Sequence, residues 1–160
     1  MVDEMSDQMR LAFRRHPAGI GLVTAADAEG PVGMVVSSLA SVSIEPPMVS
    51  FSVASASRTG QRLAHADGLA VHLVTADDLP LAIDVSTPGS ARFTDEHPWT
   101  PAGNGAPLLA TSSARMTGRV VQVVEAGQSL LLLVQLDEVS VPDVVGAPVV
   151  WMGREWRQLV

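Results

Sequence analysis

Apolar and polar residues change their rhythm once along this chain. Between residues 5 and 15, Met5, Met9, Ala12 and Phe13 recur at helical spacing, with Ser6 as a hydroxyl for the N-cap. The pattern predicts an amphipathic helix closed by His16-Pro17, because the residue before a proline leaves the helical region. Beyond that point, apolar runs of strand length alternate with turn signals. They predict strands over 19–24, 32–39, 48–54, 69–75, 113–124, 129–139 and 149–151, with a last one near Trp156. Asp27-Ala28-Glu29-Gly30 reads as a hairpin turn, and Pro46-Pro47 sets the entry to the third strand. Two helices interrupt, one over 58–66 capped by Ser57 and a short one over 77–85. Residues 86–107, rich in Gly, Pro, Ser and Thr, form a long loop of the kind used as a lid or an interface arm.

Many short strands with few helices predict a mainly β barrel or sandwich of six or more strands. The runs Val120-Val121-Gln122-Val123-Val124 and Leu130-Leu131-Leu132-Leu133-Val134 do not alternate, so both faces of those strands are expected to be covered. One face goes to the interior. The other calls for a packed helix or a second copy, which predicts a homodimer.

Composition narrows the chemistry. The 160 residues suit a single domain over 1–160, and 47% hydrophobic against 17% charged residues is enough for a packed core. A net charge of −7, with ten scattered Lys and Arg, argues against nucleic acid and anionic membranes as partners. No apolar run reaches membrane-spanning length, and the polar N-terminus does not read as a secretory signal, which predicts a cytoplasmic protein. The absence of cysteine removes disulfides, thiolate metal sites, thiol nucleophiles and iron–sulfur clusters. None of the four histidines pairs at ligand spacing, so no metal is expected, and no Walker loop, HExxH or GxSxG is present. Gly19-Ile20-Gly21 lacks the third glycine of a dinucleotide fingerprint and lies within a strand.

Two segments carry a signal. In Val35-Val36-Ser37-Ser38-Leu39, two hydroxyls fall where the apolar pattern would otherwise continue. They read either as a strand end fraying into a loop or as a polar edge for a flat heteroaromatic ligand. In Ser52-Val53-Ala54-Ser55-Ala56-Ser57-Arg58-Thr59, a strand runs through a Ser-rich turn into a helix start. Unpaired N–H groups, two hydroxyls and a guanidinium fork suit a phosphate there, and an ordinary cap beside a surface arginine is the simpler reading. The two segments are expected on consecutive strands with one turn between, and a strand of about 20 Å lets one ligand touch both, its ring at the first and its phosphate at the second.

These residues resemble the flavin reductase-like domain family, an FMN-binding split β-barrel with Greek-key connections and a few short helices. The resemblance rests on Pro17-Ala18-Gly19, Gly33-Met34-Val35-Val36-Ser37-Ser38-Leu39-Ala40-Ser41-Val42-Ser43, Pro46-Pro47 and Ser57-Arg58-Thr59. Weaker matches are Arg92-Phe93, Gly105-Ala106-Pro107 and Pro148-Val149-Val150-Trp151. It covers nearly the whole chain and is most specific over residues 13–60. It implies a homodimeric oxidoreductase that binds FMN, or FAD, takes electrons from NADH or NADPH, and supplies reduced flavin to a partner monooxygenase. By position, Met34, Val35, Val36, Ser37, Ser38 and Leu39 would line the isoalloxazine ring, Ser52, Val53 and Ala54 would flank it, and Ser57, Arg58 and Thr59 would bind its phosphate. Phe93 and Trp99 are lid candidates, or plain loop packing. The sequence departs from the family where a Gly-Asp-His, whose His is associated with nicotinamide binding, often precedes the late strand: here Gly127-Gln128-Ser129 stands, and Gln128 cannot carry an imidazole's charge, though as the nicotinamide candidate it can hydrogen-bond a carboxamide. That leaves a flavin-binding electron carrier without a nicotinamide site, or a split barrel using deazaflavin or haem, as alternatives.

Overall fold

The computed structural model describes residues 3–110, 114–143 and 146–160. Helix α1 (Glu4–Arg14) leads into β1 (Ala18–Gly19), the hairpin β2 (Gly21–Asp27) and β3 (Gly30–Val36), and the pair β4 (Ala40–Ile44) and β5 (Pro47–Ala54). Then come α2 (Arg58–Ala64), β6 (Leu69–Leu73), a 3-10 turn at Ala76–Asp78 and α3 (Leu79–Ser86). The chain closes with β7 (Trp99–Pro101), β8 (Pro107–Leu109), the long hairpin β9 (Arg115–Ala126) and β10 (Ser129–Ser140), and the hairpin β11 (Val149–Met152) and β12 (Glu155–Gln158).

The fold is mainly β, as the sequence predicts. Seven strands form one antiparallel sheet in the order β3-β2-β6-β9-β10-β5-β4, flanked by a small sheet β1-β11-β12 and the pair β7-β8. The large sheet is not closed by a ladder, since β3 and β4 are its edges. Its concave side holds Val23, Phe51, Val53, Leu63, Leu69, Val71, Leu132 and Val134, all buried. A second apolar layer, Ile20, Leu22, Val74, Leu81, Val85 and Leu109, lies under α3 with Trp99, Trp151 and Trp156 against it. β2 supplies both layers, which is why Gly21–Ala25 is buried without alternation. Each large apolar side chain removed from water contributes about 1.5–3 kcal/mol.

Several expectations are corrected. α1 begins at Glu4, capped by Asp3, whose Oδ1 accepts from the Met5 N–H at 3.3 Å, and Ser6 lies inside the helix. The helix buries none of its residues, so the face of Met5, Met9 and Phe13 does not meet this chain's core. β3 stops at Val36, so Ser37, Ser38 and Leu39 lie in the bend after it. The run from Ala40 to Ile44 is an extra edge strand, so β3 and β5 are not consecutive. The loop over 86–107 contains β7 and the start of β8. β10 alternates after all, with Leu130, Leu132, Val134 and Leu136 buried and Leu131 and Leu133 half-buried. On β9, Val121 and Val123 remain 45% and 41% exposed. Ser113, expected to open that strand, lies outside the described residues.

Candidate functional site

The sheet's open seam is where β3 and β5 approach without a ladder. Ser38 bridges it: its Oγ accepts from the Ser52 N–H at 2.9 Å and donates to the Ser52 carbonyl at 3.3 Å. One side chain thus satisfies both backbone groups of a residue whose β5 face would otherwise be unpaired there.

Beside this bridge lies a cavity of about 540 Å³ lined by residues 33–38, residues 52–54, Ser57, Thr59, Val85, Ser86 and Arg92. Of the candidates named from the sequence, Met34, Val35, Val36, Ser37, Ser38, Ser52, Val53, Ala54, Ser57 and Thr59 are brought together here. Met34 to Val36 give an apolar wall, and the serines with the edge backbone give a polar rim. The start of α2 forms one end. Ser57 Oγ accepts from the Gly60 N–H at 3.1 Å, which leaves its proton to donate. The N–H groups of Arg58 and Thr59, in the first turn, lie beyond the reach of the helix's own carbonyls. Gln61 fixes the turn by donating from Nε2 to the Ser55 carbonyl at 2.7 Å. Apolar wall, hydroxyl rim and unpaired donors fit a flat heteroaromatic ring carrying a phosphate tail.

Two candidates are placed elsewhere. Arg58 ion-pairs with Glu29 of the β2–β3 turn, with its side chain 81% exposed, and does not line the cavity. Leu39 lines the neighbouring cavities, and its Cδ2 stands 2.7 Å from where a Cβ on Gly21 would be. Gln128 sits in the β9–β10 turn, where its carbonyl accepts from the Ser55 N–H at 2.9 Å and Ser55 Oγ at 3.0 Å. Its side chain lines neither cavity beside Ser37 and Ser38. Sequence reasoning did not assign Arg92, which arrives from a distant loop and donates from Nη1 to the Gly33 carbonyl at 3.3 Å. Its signal in the sequence is the weaker family match of Arg92-Phe93.

Phe93 and Trp99 brace that arm rather than cover the cavity. Trp99 Nε1 donates to the Arg92 carbonyl at 3.1 Å, and the Phe93 and Trp99 rings lie 5.0 Å apart. Phe93 fills the space over Gly33, where a Cβ would meet its Cζ at 3.0 Å. Beneath them, fully buried His72 donates from Nδ1 to the Leu22 carbonyl at 3.0 Å and accepts the Leu109 N–H at Nε2 at 2.9 Å. Desolvation by burial lowers its pKa to about 4, against the opposing bond to Leu22, so it is the neutral tautomer that ties β2, β6 and β8 together. Arg62 of α2 clamps the β2–β3 turn through Asp27 at 2.7 Å and the Gly30 carbonyl at 2.7 Å, and holds the Asp27 carboxyl below its usual range.

Among the described residues no cluster of three or more His, Asp or Glu is arranged to hold a metal. No described helix is long and apolar enough to cross a membrane.

Residues 13–160 match the flavin reductase like domain. An NADH:FMN oxidoreductase of Rhodococcus qingshengii is 37% identical over 124 residues, which are 78% of this chain and 65% of that protein. This chain therefore spans about 65% of that relative's length. An FMN reductase (NADH) of Agrobacterium fabrum is 33% identical over 81% of this chain and 74% of its own. Among solved structures, an NADH:FAD oxidoreductase of Streptomyces globisporus, in complex with NAD and FAD fragments, superposes with a TM-score of 0.88 at 25% identity, covering 100% of this chain and 96% of that one. A match over residues 13–160, carried by the same fold, makes this chain a member of the flavin reductase like domain family.

Proposed function

We propose that this chain is an NAD(P)H-dependent flavin reductase acting on FMN, with FAD as the alternative flavin. The observation that carries the reading is the cavity at the sheet's seam, with its apolar wall, hydroxyl rim and unpaired N–H groups on one ligand-sized space. Met34, Val35 and Val36 pack the ring, and Ser37, Ser52, Val53 and Ala54 border it. Ser57, Thr59 and the N–H groups of Arg58 and Thr59 hold the phosphate, and Arg92 supplies the cationic fork in place of the Arg58 side chain. A bound flavin supplies the hydride-accepting chemistry, and the chain's residues bind it, orient it and leave one side open to the nicotinamide. No side chain here is assigned a proton-transfer role.

The reading extends to a cytoplasmic single domain that works as a homodimer and hands reduced flavin to a monooxygenase. The dimer is supported by the exposed apolar side chains of Met5, Met9 and Phe13 on α1 and Val121, Val123 and Val124 on β9. Anaerobic mixing of purified protein with FMN and NADH or NADPH is expected to bleach the oxidised-flavin absorbance. Tight FMN binding with no bleaching by either nucleotide would refute the reductase and favour the electron-carrier reading that Gln128 motivates.

A further inference from the structure

Ser37 and Ser38 also border a second cavity, of about 660 Å³. Two further pieces of chain wall it: residues 10–19, with Arg10, Phe13 and Arg14 at the end of α1, and residues 151–154, with Arg154 in the β11–β12 turn. No Asp or Glu lines it. Arg10 is neutralised by Asp7 at 2.8 Å, but the Arg14 and Arg154 guanidiniums have no hydrogen-bond or ion-pair partner among the described residues. In a chain of net charge −7, two unpaired guanidiniums at one opening run against the overall field and make a local attractor for an anion.

The turn that presents Arg154 adds an independent observation. Gly153 and Arg154 have φ of 65° and 66°, the sign pattern of the type I′ hairpin turn, whose second position favours Gly or Asn. Arg154 is the one described non-glycine residue with positive φ, a conformation that a Cβ makes costly. The turn is also clamped to the helix, since the Gly153 N–H donates to the Arg14 carbonyl at 2.8 Å. A side chain kept at a strained position, and tied beside a second unpaired arginine, points to a ligand rather than to the turn itself.

We propose that this chamber binds the diphosphate of the dinucleotide hydride donor. Arg14 and Arg154 grip it, and the Ser37-Ser38 ridge carries the nicotinamide end into the adjoining flavin cavity. Trp151 on the chamber wall offers aromatic surface to the adenine. The assignment rests on the reductase reading above. A flavin dinucleotide has the same diphosphate chemistry, and the test separates the two.

The experiment uses FMN-loaded protein and ADP-ribose, a non-reducing probe with the donor's diphosphate, titrated calorimetrically. Arg14→Gln and Arg154→Gly are each expected to weaken ADP-ribose binding about tenfold, as loss of a charge-assisted contact does. FMN affinity should change less than about twofold, and the KM for NADH should rise in parallel with the ADP-ribose Kd. Arg154→Gly should also leave the melting temperature unchanged or raise it, because glycine relieves the positive φ. Unchanged ADP-ribose binding in both variants would overturn the proposal. So would weakened FAD binding to apoprotein with ADP-ribose binding intact, which would give the chamber to the flavin's own diphosphate. If wild-type protein binds ADP-ribose through Arg14 and Arg154 yet does not oxidise NADH, the subsite stands and the reductase reading falls.

Discussion

His72 offers the sharpest quantitative test of how the arm over the cavity is held. Its ring is fully buried and neutral, donating to the Leu22 carbonyl and accepting the Leu109 N–H. A second proton would put an N–H against the Leu109 N–H inside an apolar layer. The unfolded chain, with a histidine pKa near 6.5, takes that proton well before the folded one, whose value is about 4. Between those values the unfolded state binds more protons, so stability falls as pH falls, and His72's contribution is fully present only above 6.5. At about 1.4 kcal/mol per pKa unit, the whole shift is worth about 3 kcal/mol. Between about pH 7 and pH 4.5, roughly 2 kcal/mol of it should be lost. The perturbation is His72→Gln, which keeps a donor and an acceptor but does not titrate. Urea unfolding of both proteins across that range should show wild type losing about 2 kcal/mol more than the variant. Comparing the two removes contributions common to both proteins, that of Asp27 among them. Identical pH dependence in the two proteins would refute the buried neutral tautomer, and with it the account of how β8 is tied down.

Three further outcomes are expected. Arg92→Ala should weaken FMN binding by about 1.5–3 kcal/mol in a fluorescence titration, while Arg58→Ala, whose partner is exposed Glu29, should cost under about 0.5 kcal/mol; the reverse order would mean that Arg58 leaves Glu29 to take the phosphate. Gly118→Ala should destabilise by about 1–3 kcal/mol or more in urea, because its Cβ would run into the Gln135 carbonyl across the β9–β10 ladder, and a change under about 0.5 kcal/mol would show that the ladder gives way. Val123→Glu, on the exposed β9 face, should convert a dimer to a monomer by light scattering without loss of β-type circular dichroism, and a monomeric wild type would remove the dimer altogether.

Local chemistry was readable where the cause is local. Ser57 caps α2 as its position suggests, and Asp27 to Gly30 makes the hairpin turn, with Gly30 at φ 102°. The cavity's two principal walls were readable for the same reason, since each is a short contiguous segment. What stayed hidden depends on partners far away in sequence. Arg92 meets Gly33, 59 residues distant, through an arm whose geometry comes from Trp99, Phe93 and His72 together. Arg58 had a guanidinium in the right place along the chain, but Glu29 in the hairpin turn competes for it. The strand from Ala40 to Ile44 was missed although Ala40, Val42 and Ile44 alternate with serines, because Ser41 and Ser43 read as loop after Ser37-Ser38, and its apolar side chains lie exposed at a sheet edge instead of marking a core. Helix α1 was legible to within one residue at either end, but not what covers it, since an amphipathic pattern gives a face without naming its partner.

The arm after α3, residues 87–110, lies on the large sheet without joining its ladder. Side chains rooted in the sheet moor it: Thr24 donates to the Pro107 carbonyl at 2.5 Å, and His72 receives Leu109. In return, Asn104 of the arm reaches the Leu69 and Gly118 carbonyls at 3.0 and 3.3 Å. On strands otherwise filled with Val, Leu and Ala, Thr24 and His72 look like blemishes in a core. They act instead as addresses, telling an irregular segment where on a uniform surface to land. An apolar residue at either position would suit the strand and leave the arm without its mooring. Variation at those two sites is therefore limited less by the stability of the sheet than by the shape of the cavity that the arm helps to wall.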